Sequence, residues 1–195
     1  KAVNGIAPKI LAEEAKNKDA LLIHYSTDYS YNGEMSHRPY LESDSPAPNS
    51  VYGKTKLEGD QAIEKSGASH LIFRTGWVYS KRGKSFLHTI LTLAKEKKEL
   101  RIVNDQTGTP TWCRSIAEAT CKAIKNILEK REDSLSKTVS NISGVYHMTC
   151  QGETNWHGFA QMILELSYPD NMPKLLAIPT KEYPTPAIRP TYSVL

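Results

Sequence analysis

Short apolar runs alternate along this chain with stretches of helical periodicity, and that alternation narrows the possible folds more than any other feature. Residues 20–26 (Ala-Leu-Leu-Ile-His-Tyr-Ser), 69–74 (Ser-His-Leu-Ile-Phe-Arg), 100–103, 144–148 and 175–178 read as strands. Strands buried on both faces need no polar alternation, which suits a parallel sheet. Between them, residues 6–16, 51–65 and 84–98, the stretch from Ser115 to about residue 131 and the stretch from Thr154 carry apolar residues at helical spacing. Pro8 fits only a first helical turn, and Gly67 ends the second helix. Ser115 is placed to cap the fourth. Strand and helix in alternation predict an α/β fold with a doubly wound parallel sheet. A chain of 195 residues can bury one sizeable core, or a core plus a small lobe. Polar residues 133–141 predict a mobile loop, and the prolines of residues 179–190 predict extended chain.

In such sheets ligands bind beyond the carboxyl ends of the strands. The first strand ends there in Ser26-Thr27-Asp28, two hydroxyls and a carboxylate. A long loop punctuated by Gly33, Pro39, Pro46 and Pro48 follows, and then a helix carrying Tyr52 and Lys56. Spacing of i,i+4 puts both side chains on one helical face. A phenol titrates near pH ~10, and a fixed ammonium beside it favours the phenolate. Tyr52 is thereby suited to give a proton to a developing alkoxide. A bare Y-x-x-x-K also occurs on solvated helices; the strand-end hydroxyl and the loop before it make chance agreement much rarer.

With these motifs the chain resembles the extended short-chain dehydrogenase/reductase superfamily and, within it, the dTDP-4-dehydrorhamnose reductase family. The resemblance lies in His24-Tyr25-Ser26-Thr27-Asp28-Tyr29, Val51-Tyr52-Gly53-Lys54-Thr55-Lys56-Leu57-Glu58-Gly59, Arg74-Thr75-Gly76-Trp77-Val78-Tyr79, the run from Asn104 to Thr111, Gly144-Val145-Tyr146-His147 and Tyr183-Pro184-Thr185-Pro186-Ala187. It implies a Rossmann-like sheet, incomplete at its N-terminal half, with a small C-terminal substrate lobe. Residues 1–80 would be the second half of a dinucleotide-binding domain. Residues 81–195 would be a substrate lobe interleaved with the last strands. No G-x-G-x-x-G occurs in the sequence, so the chain is expected to correspond to an interior stretch of a longer enzyme. The strand at residues 20–26 would then be an exposed edge, open to pairing or aggregation.

The resemblance also implies roles. Tyr52, Lys56 and Thr27 would be catalytic. Tyr52 and Lys56 would contact the cofactor, NADPH or NADH, with Lys56 on the nicotinamide ribose. Thr27, Asp28 and Trp77 would hold the dTDP-sugar, with the indole against the sugar ring. Arg189 is a candidate for the diphosphate, since a planar guanidinium suits phosphate. Asn104, Asp105 and Gln106 are candidates for the nucleotide side. Arg74, His24, His147 and His157 read as structural, and Trp112 and Trp156 as core residues. A homodimer in the cytoplasm would suit the family. A noncatalytic binding subunit on the same fold stays open, as does a sugar-nucleotide epimerase or dehydratase, although intact Thr27, Tyr52, Lys56 and Trp77 favour the reductase.

Other classes are disfavoured. A net charge of +4 without a Lys/Arg block gives no nucleic-acid footprint. Cys113, Cys121 and Cys150 have no metal-ligand spacing and are odd in number. No apolar run is long enough to span a bilayer as a helix.

Overall fold

The computed structural model describes residues 1–35, 38–130, 134–168 and 170–195. A π-helical turn (Ala2–Ile6) leads into α1 (Ala7–Asn17), with Pro8 in its first turn. Then follow β1 (Leu22–Thr27), a 3-10 turn (Asp28–Ser30), α2 (Val51–Ser66), β2 (His70–Thr75), β3 (Val78–Tyr79), α3 (Phe86–Glu96) and β4 (Glu99–Val103). The remainder is β5 (Thr107–Gly108), β6 (Thr111–Trp112), α4 (Cys113–Glu129), α5 (Leu135–Val139), β7 (Gly144–His147), β8 (Thr154–Asn155), α6 (Trp156–Ser167), β9 (Lys174–Ile178) and a closing 3-10 turn (Thr180–Glu182).

The main sheet runs β1-β2-β7, all parallel, with Thr27 opposite Thr75 and Arg74 opposite His147. Strand β2 is buried throughout and covered by helices on both faces. Its Leu71 and Phe73 pack with Ile127, Leu135 and Val139 on one side, and Ile72 packs with Ala12, Ile63 and Ala68 on the other. This alternation is the doubly wound arrangement that the sequence predicts. A second core, called the lobe below, has Ile90, Leu100, Ile102, Phe159, Ile163 and Leu164 joining α3 and α6 to the parallel pair β4-β9.

Helices α2 and α6, like α5 below, begin where a side chain caps them. Ser50 Oγ accepts the Gly53 amide at 3.0 Å, and Asn155 Oδ1 accepts the Gly158 amide at 2.8 Å. Gly67 closes α2 with φ 69°, a left-handed value that glycine adopts without strain. Other expectations are corrected. Ser115 lies inside the first turn of α4, whose N-cap is Trp112. Residues 135–139 are helical rather than loop, because Ser134 Oγ caps the turn and Leu135 and Val139 face the core one turn apart; Asp133 and Arg131 lie outside the described residues. A 3-10 turn interrupts the extended tail at Thr180–Glu182. Among the described residues no helix is long and apolar enough to cross a membrane.

Candidate active site

Strand β1 delivers Thr27 and Asp28 to the carboxyl edge of the sheet, and both are buried. Thr27 Oγ1 accepts the Tyr29 amide at 3.2 Å and donates to Asp28 Oδ1 at 3.1 Å, starting the 3-10 turn. The first turn of α2 is pressed onto that turn. A Cβ on Gly53 would lie 2.2 Å from the Tyr29 carbonyl oxygen, so only glycine permits the approach. Tyr52, next in sequence, sets its ring edge-on to Tyr29, centroids 5.8 Å apart. Tyr52 is 48% exposed, so its phenol stands at a surface that a ligand can reach.

One turn on, Lys56 is buried. Its ammonium donates to the Tyr25 carbonyl at 2.7 Å and contacts His24 Nε2 at 3.1 Å. Burial lowers its pKa, with Asp60 opposing. Asp60, one turn further along α2, is fully buried. It accepts from Ser26 Oγ at 2.8 Å and lies 3.5 Å from both His24 Nε2 and Arg74 Nε. Burial raises its pKa, while Ser26 and Arg74 pull it down. Arg74 reaches on to the Tyr31 hydroxyl at 2.9 Å, which also bonds His147 Nε2 at 2.9 Å. Arg74, His24 and His147 are thus structural partners in a polar seam beneath the rim. Ser26 and Thr27 point to opposite faces, Ser26 into this seam and Thr27 toward the rim.

Asp28 is the most strained polar group at the rim. Its Oδ2 has no hydrogen bond among the described residues and occupies the space where a Cβ on Gly76 would be, 2.5 Å away. Burial pushes its pKa up to about 6, against the pull of the Ser193 and Thr27 hydroxyls.

The second wall comes from the lobe. Trp77 has φ 49°, a left-handed backbone rare outside glycine. Its indole lies flat on Trp156, centroids 3.5 Å apart, and Gly108 is drawn close against the ring. The indole face turned to Trp156 is therefore closed to a sugar, leaving only the rest of the ring for that role. Beside the stack lies a cavity of about 310 Å³, whose lining includes Phe86, Arg101, Gln106, Trp156, Tyr183 and Arg189. Gln106 bridges Trp156 Nε1 at 3.1 Å and Thr180 Oγ1 at 3.0 Å. Arg189 is electrostatically felt at Tyr29, where burial and Asp28 raise the phenol pKa and the guanidinium lowers it. Arg189 thus lines the cavity while its charge acts on Tyr29.

With this geometry in view, the chain was compared with known proteins. The family model described as RmlD substrate binding domain matches residues 1–195. The chain belongs to this family. It is 45% identical over its whole length to a dTDP-4-dehydrorhamnose reductase of Burkholderia thailandensis, covering 65% of that protein. A dTDP-4-dehydrorhamnose reductase of Clostridium acetobutylicum superposes with a TM-score of 0.86 at 37% identity, over 98% of this chain and 62% of that one. The Bacillus anthracis reductase in complex with NADP superposes with a TM-score of 0.83 at 31% identity, over 98% and 62%. The chain spans less than two thirds of the length of the curated relatives it matches first. These relatives and the parallel sheet establish a Rossmann-like α/β fold.

Within this RmlD-type domain the structure joins Thr27, Asp28 and Tyr52 through Tyr29, with Lys56 behind Tyr52 in the polar seam. Trp77 stands across from them on the lobe side. Of the nucleotide-side candidates, Gln106 lines the cavity, whereas Asp105 is engaged in holding the Thr180 amide at 2.9 Å. The core role read for Trp112 is corrected: it is 39% exposed, with the Arg114 guanidinium over its ring. Trp156 does pack against the lobe core. Asp60, Phe86, Arg101 and Tyr183 escaped the sequence reading. Only Asp60 left a signal, its i+4 spacing from Lys56.

Proposed function

We propose that the protein to which this chain belongs reduces the 4-keto group of dTDP-4-dehydro-L-rhamnose, with NADPH or NADH as hydride donor. The observation that carries this reading is the grouping of a half-exposed Tyr52, the buried ammonium of Lys56 one turn on, and the strand-end hydroxyl of Thr27 beside Tyr29, on whose ring Tyr52 rests. The nucleotide enters the cavity, where Phe86 and Tyr183 offer flat apolar faces. Arg189 holds the diphosphate. The sugar then reaches Tyr52, with Asp28 available to one of its hydroxyls.

Lys56 fits a dinucleotide ribose. An ammonium has three donors, and two are engaged on β1, which leaves one for a ribose hydroxyl. A nicotinamide held there would supply the hydride for C4. Negative charge then builds on the C4 oxygen, and Tyr52 gives it the phenolic proton. Lys56 stabilises the resulting phenolate. Thr27, whose hydroxyl is turned to Asp28, would on rotation hydrogen-bond the C4 oxygen or the Tyr52 oxygen and tune the proton transfer. The Bacillus anthracis relative solved with NADP supports the cofactor class.

The test is oxidation of NADPH by the complete protein in the presence of the 4-keto sugar. Tyr52→Phe lowers kcat by about 10²- to 10⁴-fold while the fold is kept. Wild-type turnover in that variant overturns the assignment.

A further inference from the structure

The sequence of α2 places Tyr52, Lys56 and Asp60 at successive i,i+4 steps, on one face of the helix. Along β1 the side chains alternate. Tyr25 turns to α4, where its hydroxyl meets Thr120 at 2.8 Å, while His24 and Ser26 turn to α2. His24 therefore stands between the ammonium of Lys56 and the carboxylate of Asp60, its side chain 16% exposed. An ammonium only donates, so at 3.1 Å the His24 Nε2 must accept and the ring proton sits on Nδ1. An imidazolium could not make this contact, since both its nitrogens would donate.

We propose that His24 is a positioning residue for Lys56. The neutral imidazole takes one ammonium N–H, the Tyr25 carbonyl takes a second, and the third is left for the rim on which Tyr52 stands. Asp60 supplies the negative charge behind the pair and is itself held by Ser26. The inference rests on the reading of Tyr52 and Lys56 as the catalytic pair. It goes beyond that reading by assigning a task to a histidine that otherwise only fills the seam.

The arrangement is sensitive to pH. Burial, and then the Lys56 charge, lower the His24 pKa to about 4. The titratable and charged groups facing the ring are Lys56 and Asp60 from α2, with Arg74 of β2 reaching Asp60. His24 thus stays neutral through the neutral range, and the hold on Lys56 is released only on acidification.

The test uses two variants in the complete protein. His24→Leu removes the acceptor; His24→Gln restores one as an amide oxygen. We expect His24→Leu to lower kcat by about 10- to 100-fold, the size of a hydrogen bond to a charged group, with KM for the 4-keto sugar within about twofold. His24→Gln recovers most of kcat and lacks any His24 contribution to the acidic limb of the kcat profile. A second readout does not need turnover. The titration of Lys56, followed by NMR of a labelled ammonium neighbour carbon, shifts to lower pH in His24→Leu and returns in His24→Gln. Equal loss in both variants with a raised KM, or an unmoved Lys56 titration in His24→Leu, overturns the positioning role. If the wild-type protein shows no reduction at all, the catalytic reading fails, and the Lys56 titration alone still decides whether His24 holds the ammonium.

Discussion

The rim at β1 and α2 and the aromatic cluster of the lobe are built on opposite principles. At the rim, polar atoms are buried with their hydrogen-bonding unfinished. Asp28 Oδ2, Ser30 Oγ and Thr75 Oγ1 have no hydrogen bond among the described residues, and in the seam beneath them Asp60 Oδ1 and Arg74 Nε have only ion-pair contacts at 3.5 Å. In the lobe, Trp77 stacks on Trp156, Phe86 packs at a tilt against Trp156, and the buried amide of Gln106 is satisfied at both ends. Unmet polar groups in a low-dielectric site hold free energy that a ligand or a reacting charge can release. Stacked rings hold shape and contribute contact area. The rim is thus suited to chemistry and the lobe to recognition, and each can be perturbed without the other.

The largest expected effect separates the two at once. Tyr52→Phe removes a hydroxyl with no hydrogen bond among the described residues from a half-exposed ring. It therefore abolishes most turnover and leaves the melting temperature near that of the wild type. Trp156→Ala acts in the opposite sense. It deletes the partner of Trp77 and Phe86 and one end of the Gln106 bridge, and destabilises by about 3 kcal/mol in denaturant titrations. KM for the nucleotide sugar rises, and kcat at saturation changes much less. A Trp156→Ala protein with normal KM and depressed kcat would break the division of labour.

Asp28→Asn sharpens it from the rim side. The carboxyl pKa is raised from an unfolded value of 3.8 to about 6. A raised carboxyl pKa means that the folded state binds the proton more tightly. Its contribution to stability is complete below pH 3.8 and is lost as pH rises through about 6. At pH 7.5 the ionised, buried carboxylate therefore weakens the fold, and a neutral asparagine removes that cost. We expect Asp28→Asn to gain on the order of 2–3 kcal/mol at pH 7.5 and nothing near pH 3.5, while substrate binding weakens. Equal stability of the two proteins at both pH values would mean that the carboxylate is not desolvated.

How legible this was depends on the kind of signal. Local chemistry wrote α2 plainly: Gly67 stops it, and Tyr52 and Lys56 share a face by spacing alone. The carboxyl end of β1 was legible because an apolar run gives way to Ser26-Thr27-Asp28. The seam was not, because Asp60 meets His24, Ser26 and Arg74 across two strands, and nothing in a charged residue on an amphipathic helix announces burial. The cavity was less legible still, since α3, β4 and the tail bring its lining together from positions as far apart as Phe86 and Arg189. Residues 135–139 misread as loop for a related reason: Leu135 and Val139 are the only apolar positions in that polar stretch, and what makes it helical is the core of Leu71 and Phe73 waiting beneath it. Trp77 was correctly placed after β2, but its stacking on Trp156 is a tertiary fact with no local trace.

Arg189 gives the smallest expected effect and the finest test, because it touches both regions. It is exposed, lines the cavity, and is felt at Tyr29 beside Tyr52. If its task is to hold the diphosphate, Arg189→Gln removes one charge-assisted contact and raises KM about tenfold, with kcat and stability unchanged. Arg189→Lys keeps the charge but loses the planar fork, and falls between the two. The effect on Tyr29 runs the other way: without the guanidinium its phenol pKa rises further, beside a Tyr52 ring that touches it edge-on. A fall in kcat with KM preserved would therefore place Arg189 with the rim rather than the lobe. The boundary between chemistry and recognition would then run through the tail and not along the edge of the sheet.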